Sequence, residues 1–269
     1  MKRLYDKCMN IYDDYRAIVP SYAAAALSFY LLLILIPAFS LLAVGTSLFH
    51  IDMTMIENLI SHYIMPDYAT MFIDVLESRS INTVALITMV LSFYAVSRGI
   101  GNIYEISKNM YQQKIEESII GYYIYTFKIT FFLIILFIGI IASIAIGPLV
   151  YIFNALYTSP FFGIRHVLLY FLIVFCLASV YMIVPRIKIH HSDAFQGALV
   201  AGVLMLVLYY GLGIYFQFAD FQSVYGPLAF IVMILFVFDW AAEIFYIGMY
   251  VTNILHLRRV EDEKRKSRD

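Results

Sequence analysis

Charge is scarce in this chain. Of its 269 residues, 14% are Asp, Glu, Lys or Arg and 62% are hydrophobic. A soluble domain carries about 25% charged residues, so an ordinary water-soluble fold is excluded. Cysteine is nearly absent: Cys8 lies in a terminal segment and Cys176 inside an apolar run, and neither supports a disulfide framework or a thiolate metal site. The histidines lack ligand spacing. His190, His191 and Asp193 share one short link, His256 ends the last apolar run, and no His-Glu-x-x-His occurs, so no metal is expected. An excess of positive charge is missing too. At a net charge of −1 the chain gives no reason to expect nucleic acid as a partner. Gly45-Thr46-Ser47 has no placed base and is no hydrolase site. Enzyme chemistry and cofactors are therefore not expected.

What the chain has is long apolar runs, roughly 22–49, 81–97, 122–153, 165–185, 194–218 and 227–257. All but the second reach the roughly 20 residues that a helix needs to cross about 30 Å of hydrocarbon, and local thinning accommodates the second. The first is about twice the length of a signal peptide's apolar core, so it is expected to remain as a span.

Lys and Arg then set the orientation. Lys2, Arg3, Lys7 and Arg16 precede the first run, and Arg98, Lys108, Lys114 and Lys128 surround the connection between the second and third. Arg186 and Lys188 follow the fourth, and Arg258, Arg259, Lys264, Arg265, Lys266 and Arg268 close the chain. Of the 18 basic residues, only Arg79 and Arg165 fall on the other side. The positive-inside rule places both termini in the cytoplasm. The predicted fold is an all-α, polytopic bundle of six transmembrane helices forming one membrane domain over residues 1–269. Residues 1–20 read as an amphipathic surface helix with Leu4, Cys8, Ile11 and Tyr15 on one face. Residues 50–80 read as two outer interfacial helices broken at Pro66, and 258–269 as a charged cytoplasmic tail.

Several positions point to helix packing. Gly139, Ser143 and Gly147 recur every four residues, as do Gly197/Ala201 and Ala198/Gly202, and small residues at that spacing let helices approach closely in lipid. Pro37 and Pro148 predict kinks, and Tyr122, Tyr123 and Tyr125 predict an interfacial anchor.

Asp239 and Glu243 are the most informative polar pair. Four residues apart on the last span, they share a helical face about 6 Å apart along the axis. An Asp near mid-bilayer costs about 2.5–3.5 kcal/mol on insertion scales, so both are expected to face the interior or a wet cavity. Two readings stand side by side: a proton or cation relay, or a structural pair that satisfies a polar core, with Lys128 as the partner of Glu243. Arg98, in Ser97-Arg98-Gly99, reads first as a topological anchor and second as a ligand for lipid phosphate or an anionic substrate. Gln196 and Gln217 line a path or join helices.

With the spans in place, the chain resembles the YihY/virulence factor BrkB family of bacterial inner-membrane proteins over nearly its whole length. The residues that carry the resemblance are Ala23 to Tyr30 (Ala-Ala-Ala-Ala-Leu-Ser-Phe-Tyr) followed by Pro37, and Ser97-Arg98-Gly99, which matches the family's turn after the second span. Pro185-Arg186 with Gln196-Gly197-Ala198, and Tyr225-Gly226-Pro227-Leu228, complete the order. Two features depart from it. Gly248-Met249-Tyr250 stands where members often carry Gly-Ala-Glu, with Glu243 two turns earlier as a candidate substitute, and Trp240 is displaced. The resemblance implies a multi-pass protein of the bacterial cytoplasmic membrane. The family was once labelled ribonuclease BN, a chemistry for which this sequence holds no site. Members have been linked to serum resistance and proposed as transporters of lipidic envelope precursors. A transporter or flippase-like protein for a lipid or amphiphilic envelope component is therefore expected, with a non-transporting envelope-integrity or scaffold protein as the alternative. Membrane lipids are the expected partners, and no feature specifies an oligomeric state.

Overall fold

A computed structural model of the protein describes residues 2–33, 83–112, 118–131, 162–218 and 229–266. Among these residues the regular elements are seven helices and no strands: α1 (Lys2–Ile18), α2 (22–33), α3 (Thr83–Met110), α4 (119–131), α5 (Phe162–Ile183), α6 (His191–Phe218) and α7 (Ala229–Lys266). The outer segment 50–80, Pro37, Pro148, the stripe Gly139/Ser143/Gly147 and Tyr225-Gly226-Pro227-Leu228 lie outside the described residues.

Local chemistry sets the first break. Pro20 restricts Val19 and lacks an N–H, so α1 ends before it. Val19 N–H still donates to the Tyr15 carbonyl at 2.8 Å, and Ala23 N–H restarts the ladder on the Pro20 carbonyl at 2.9 Å. The outer turns of α1 and α2 are bent by 58° across this joint, as expected for a surface helix feeding a span.

α3 continues past residue 97, where the apolar run ends. It runs unbroken for 28 residues, about 42 Å, through Arg98 to Met110. Ser97-Arg98-Gly99 is helical and no turn. The charged residues 258–266 likewise continue α7, which reaches 38 residues, about 57 Å. Both helices outlast about 30 Å of hydrocarbon. Charge marks where the apolar medium ends, but Arg, Lys and Glu are good helix formers and give the backbone no reason to stop.

α6 and α7 form the main antiparallel pair, and α5 packs beside α6. The small-residue spacing has two separate uses. Gly197 and Ala201 face α7: a Cβ on Gly197 would sit 2.6 Å from the Gly248 carbonyl, and one on Gly248 would sit 2.6 Å from the Ala201 Cβ. Gly202 faces α5 instead, where a Cβ would come within 2.8 Å of Val174. Such close approach replaces hydrophobic driving force with backbone packing, as lipid-embedded helices require.

The core gathers at the end of the bundle that carries most basic residues. Tyr15, Val19, Ala24 and Leu27 meet Ile106 and Met110, Val174, Ala178 and Tyr181, Ala194 and Ala198, and Ala242 to Tyr250. Away from that end, Val203, Val207, Tyr210, Ile214, Ile231, Phe236 and Trp240 are exposed. α6 and α7 are long and apolar enough to cross a membrane, and the bent α1/α2 pair adds a third if it is one span. Of the apolar stretches of α6 and α7, 22% is buried within the chain. Soluble monomers rarely expose so much contiguous apolar surface as the exposed residues of these two helices present, which suits them to an apolar solvent.

Candidate functional site

The polar groups of the basic end form three joints. In the first, α1 docks on α7. Tyr15 Oη donates to Glu243 Oε1 at 3.0 Å, and an Arg16 nitrogen lies 2.8 Å from the same oxygen. The pair is partly sheltered, with 28% of the Arg16 and 22% of the Glu243 side chain exposed. The Arg16 guanidinium also lies over the rings of Tyr12 and Tyr15, at 5.4 and 5.3 Å, and Tyr15 meets Tyr250 edge-on at 5.5 Å. Burial, then the charge and hydrogen bond of Glu243, push the Tyr15 phenol well above its ordinary pKa.

This corrects the expected partner of Glu243. Lys128 is exposed on α4, and among the described residues no ion pair joins it to Glu243. The carboxylate is met instead by a helix 227 residues away in sequence.

In the second joint, Asp193 in the first turn of α6 is 3% exposed and accepts from Arg259 Nε at 2.9 and 3.1 Å, with a further contact from Nη2. Two parallel N–H···O bonds fix the guanidinium plane as well as the distance. Asp193 also sits at a helix N-terminus, where negative charge is favoured. In the third, Arg186 of the α5–α6 link lies 3.8 Å over the Tyr125 ring and 5.5 Å over Tyr104, tying α4 and α3 to the link. Cation–π contacts of this kind contribute about 0.5–2 kcal/mol. Asn102 Nδ2 donates to Tyr246 Oη at 3.4 Å, and Tyr181 Oη donates to the Phe245 carbonyl at 2.8 Å, so α3 and α5 each bond to α7.

The remaining candidates stand apart. Asp239 is half-buried and, among the described residues, has neither hydrogen bond nor ion pair. Gln196 is exposed in the second turn of α6 and donates to Ser192 Oγ at 3.1 Å, so it works within its own helix. Gln217 lies in the last turn of α6, and its side chain is outside the described residues. Arg98 is exposed beside a cleft of about 390 Å³ between α3 and α4. No hydrogen bond or ion pair joins any two of Arg98, Lys128, Gln196, Asp239 and Glu243. Among the described residues no cluster of His, Cys, Asp or Glu is grouped to hold a metal.

Sequence reasoning missed Tyr15, Arg16, Asp193 and Arg259 as partners. Asp193 left one signal, an acid in the first turn of a helix. Tyr15 and Arg16 left none beyond amphipathicity.

Long apolar helices, backbone seams between them and polar joints gathered at one end define a helical membrane protein. Residues 12–269 match the family model described as Virulence factor BrkB, and the chain belongs to that family. No curated protein and no solved structure matches it.

Proposed function

We propose that this protein is a transporter or flippase-like protein for a lipid or amphiphilic envelope component. In this reading it spans the bacterial cytoplasmic membrane six times with both termini inside, and it carries out no enzymatic reaction. The observation that supports the reading is Asp239. A half-buried carboxylate with no partner among the described residues, on a helix apolar enough to cross a membrane, costs about 2.5–3.5 kcal/mol at mid-bilayer. A helix kept only for packing gains nothing from it, whereas a path that takes up a proton or cation uses it directly. Glu243 supports the reading less, since Arg16 and Tyr15 already engage its carboxylate.

That same pairing favours a second reading, a scaffold protein whose charges lock the bundle. Translocation of fluorescent phospholipid in proteoliposomes decides between the two. Transport predicts wild-type activity above empty liposomes that Asp239→Asn abolishes or makes insensitive to pH. A wild type that moves no lipid while keeping its fold supports the scaffold.

A further inference from the structure

The cleft between α3 and α4 has an order of polarity that matches one kind of molecule. Val90, Phe93 and Phe127 line one end, and Ser97, Arg98, Tyr122 and Tyr123 line the other, with Tyr94 and Thr126 between. The helices are antiparallel here. Phe93 meets Phe127 edge-on at 4.6 Å, and Gly101 packs against the Tyr122 hydroxyl. From Val90 to Arg98 the wall rises about 12 Å. One leaflet's hydrocarbon is about 15 Å deep, half of the whole core. The wall opens sideways, because Val90, Tyr94 and Phe127 are all exposed.

Arg98 is the first charge after the apolar run of α3. Among the described residues it forms no ion pair and lies only over the Tyr94 ring, at 5.9 Å. Glu105, the nearest acid along α3 towards the basic end, interacts with the Tyr122 hydroxyl, and among the described residues no ion pair joins it to Arg98. A cation that no acid among the described residues pairs, at the mouth of an aromatic-walled slot, has its forked donors available for an acceptor from outside.

We infer that this cleft is a phospholipid site, with the lipid phosphate held by Arg98 and the upper acyl chain lying along Val90, Phe93 and Phe127. Phosphate matches the guanidinium bidentately, the apolar end excludes a free soluble anion, and the sideways opening gives entry from the bilayer. The inference deepens the proposed function by naming the headgroup chemistry of the cargo, but binding here is measurable without transport.

The test is lipid retention by purified full-length protein, read by native mass spectrometry after controlled delipidation. Phosphatidylglycerol, diacylglycerol with the same chains, and inorganic phosphate are offered in parallel. Phosphatidylglycerol is expected to be retained, and diacylglycerol and inorganic phosphate are not. Arg98→Gln is expected to weaken retention about tenfold, with Arg98→Lys intermediate because it keeps the charge and loses the fork. Equal retention of diacylglycerol, displacement by millimolar inorganic phosphate, or an Arg98→Gln protein that binds as wild type would each overturn the site. A wild type that holds phosphatidylglycerol but translocates no lipid sinks the transport reading and leaves the site standing. Asp239-dependent translocation that Arg98→Gln leaves intact, with unchanged binding, does the reverse.

Discussion

The two ends of the α6–α7 pair are built on different rules. At the basic end, Gly197 and Gly248 bring backbones into contact, Asp193 grips Arg259, and Tyr181 and Asn102 tie neighbouring helices to α7. At the other end, Gly211 and Gly213 have open space where a Cβ would go, and Tyr209, Tyr210, Ile214 and Trp240 are exposed. One end is specified by side chains within the chain, and the other relies on the medium around it. Polar joints concentrate at the basic end. The apolar end holds Asp239, whose lack of a partner among the described residues stands out against that background.

The sharpest way to break the comparison is to make one substitution at both ends. Gly248→Leu forces a side chain onto the Tyr181 hydroxyl and Ala201, and monodisperse protein in detergent is expected to be lost. Gly248→Ala should survive with a penalty of about 1–3 kcal/mol, read as a lower thermal midpoint. Gly211→Ala should be neutral or slightly stabilising, by up to about 1 kcal/mol.

Removing Arg259 tests the second joint. Arg259→Gln leaves the Asp193 carboxylate buried without its fork, and the thermal midpoint should fall clearly. The exposed Lys128→Gln is the control and should leave it unmoved.

The α1 joint is weaker, because both of its charged partners are partly wet. Glu243→Gln should lower stability by about 1 kcal/mol or less and speed proteolysis of α1, leaving the rest of the bundle protected.

The smallest effect is a pH dependence. The folded pKa of Tyr15 is raised, so the stability from its proton is complete below the ordinary tyrosine pKa of about 10 and declines only as pH rises above it towards the folded value. Cleavage of α1 should therefore be flat from neutral pH to about 10 and then rise. Tyr15→Phe should be cleaved faster throughout, having lost a bond of about 1 kcal/mol.

Much of the fold was legible from composition alone. The apolar runs over 194–218 and 227–257 coincide with the two helices that, among the described residues, are long and apolar enough to cross a membrane, and Gly197/Ala201 and Ala198/Gly202 mark real seams. The helix ends were not legible. Arg98 and Arg258 end the apolar runs, and the backbone of α3 and α7 continues as helix past both. The partners of Glu243 were hidden for another reason. Which cation reaches it depends on how α1 folds back at Pro20, and no periodicity within α7 carries that information. Asp239 and Arg98 were visible as candidates because a charge in an apolar run is costly wherever the chain goes.

α7 is also a shaft. Its described length holds Asp239, Glu243, Gly248, Tyr246 and Arg259 on one unbroken helix, with no proline and no loop between the apolar face and the Lys264–Lys266 end. Asp239 and Glu243 are offset by about 40° around that shaft, and Arg259 lies about 24 Å along it from Glu243. With no break in the shaft, the Asp193–Arg259 grip, the Gly197/Gly248 seam and the Glu243 joint act on one rigid element, and together they set the angle at which Asp239 is presented.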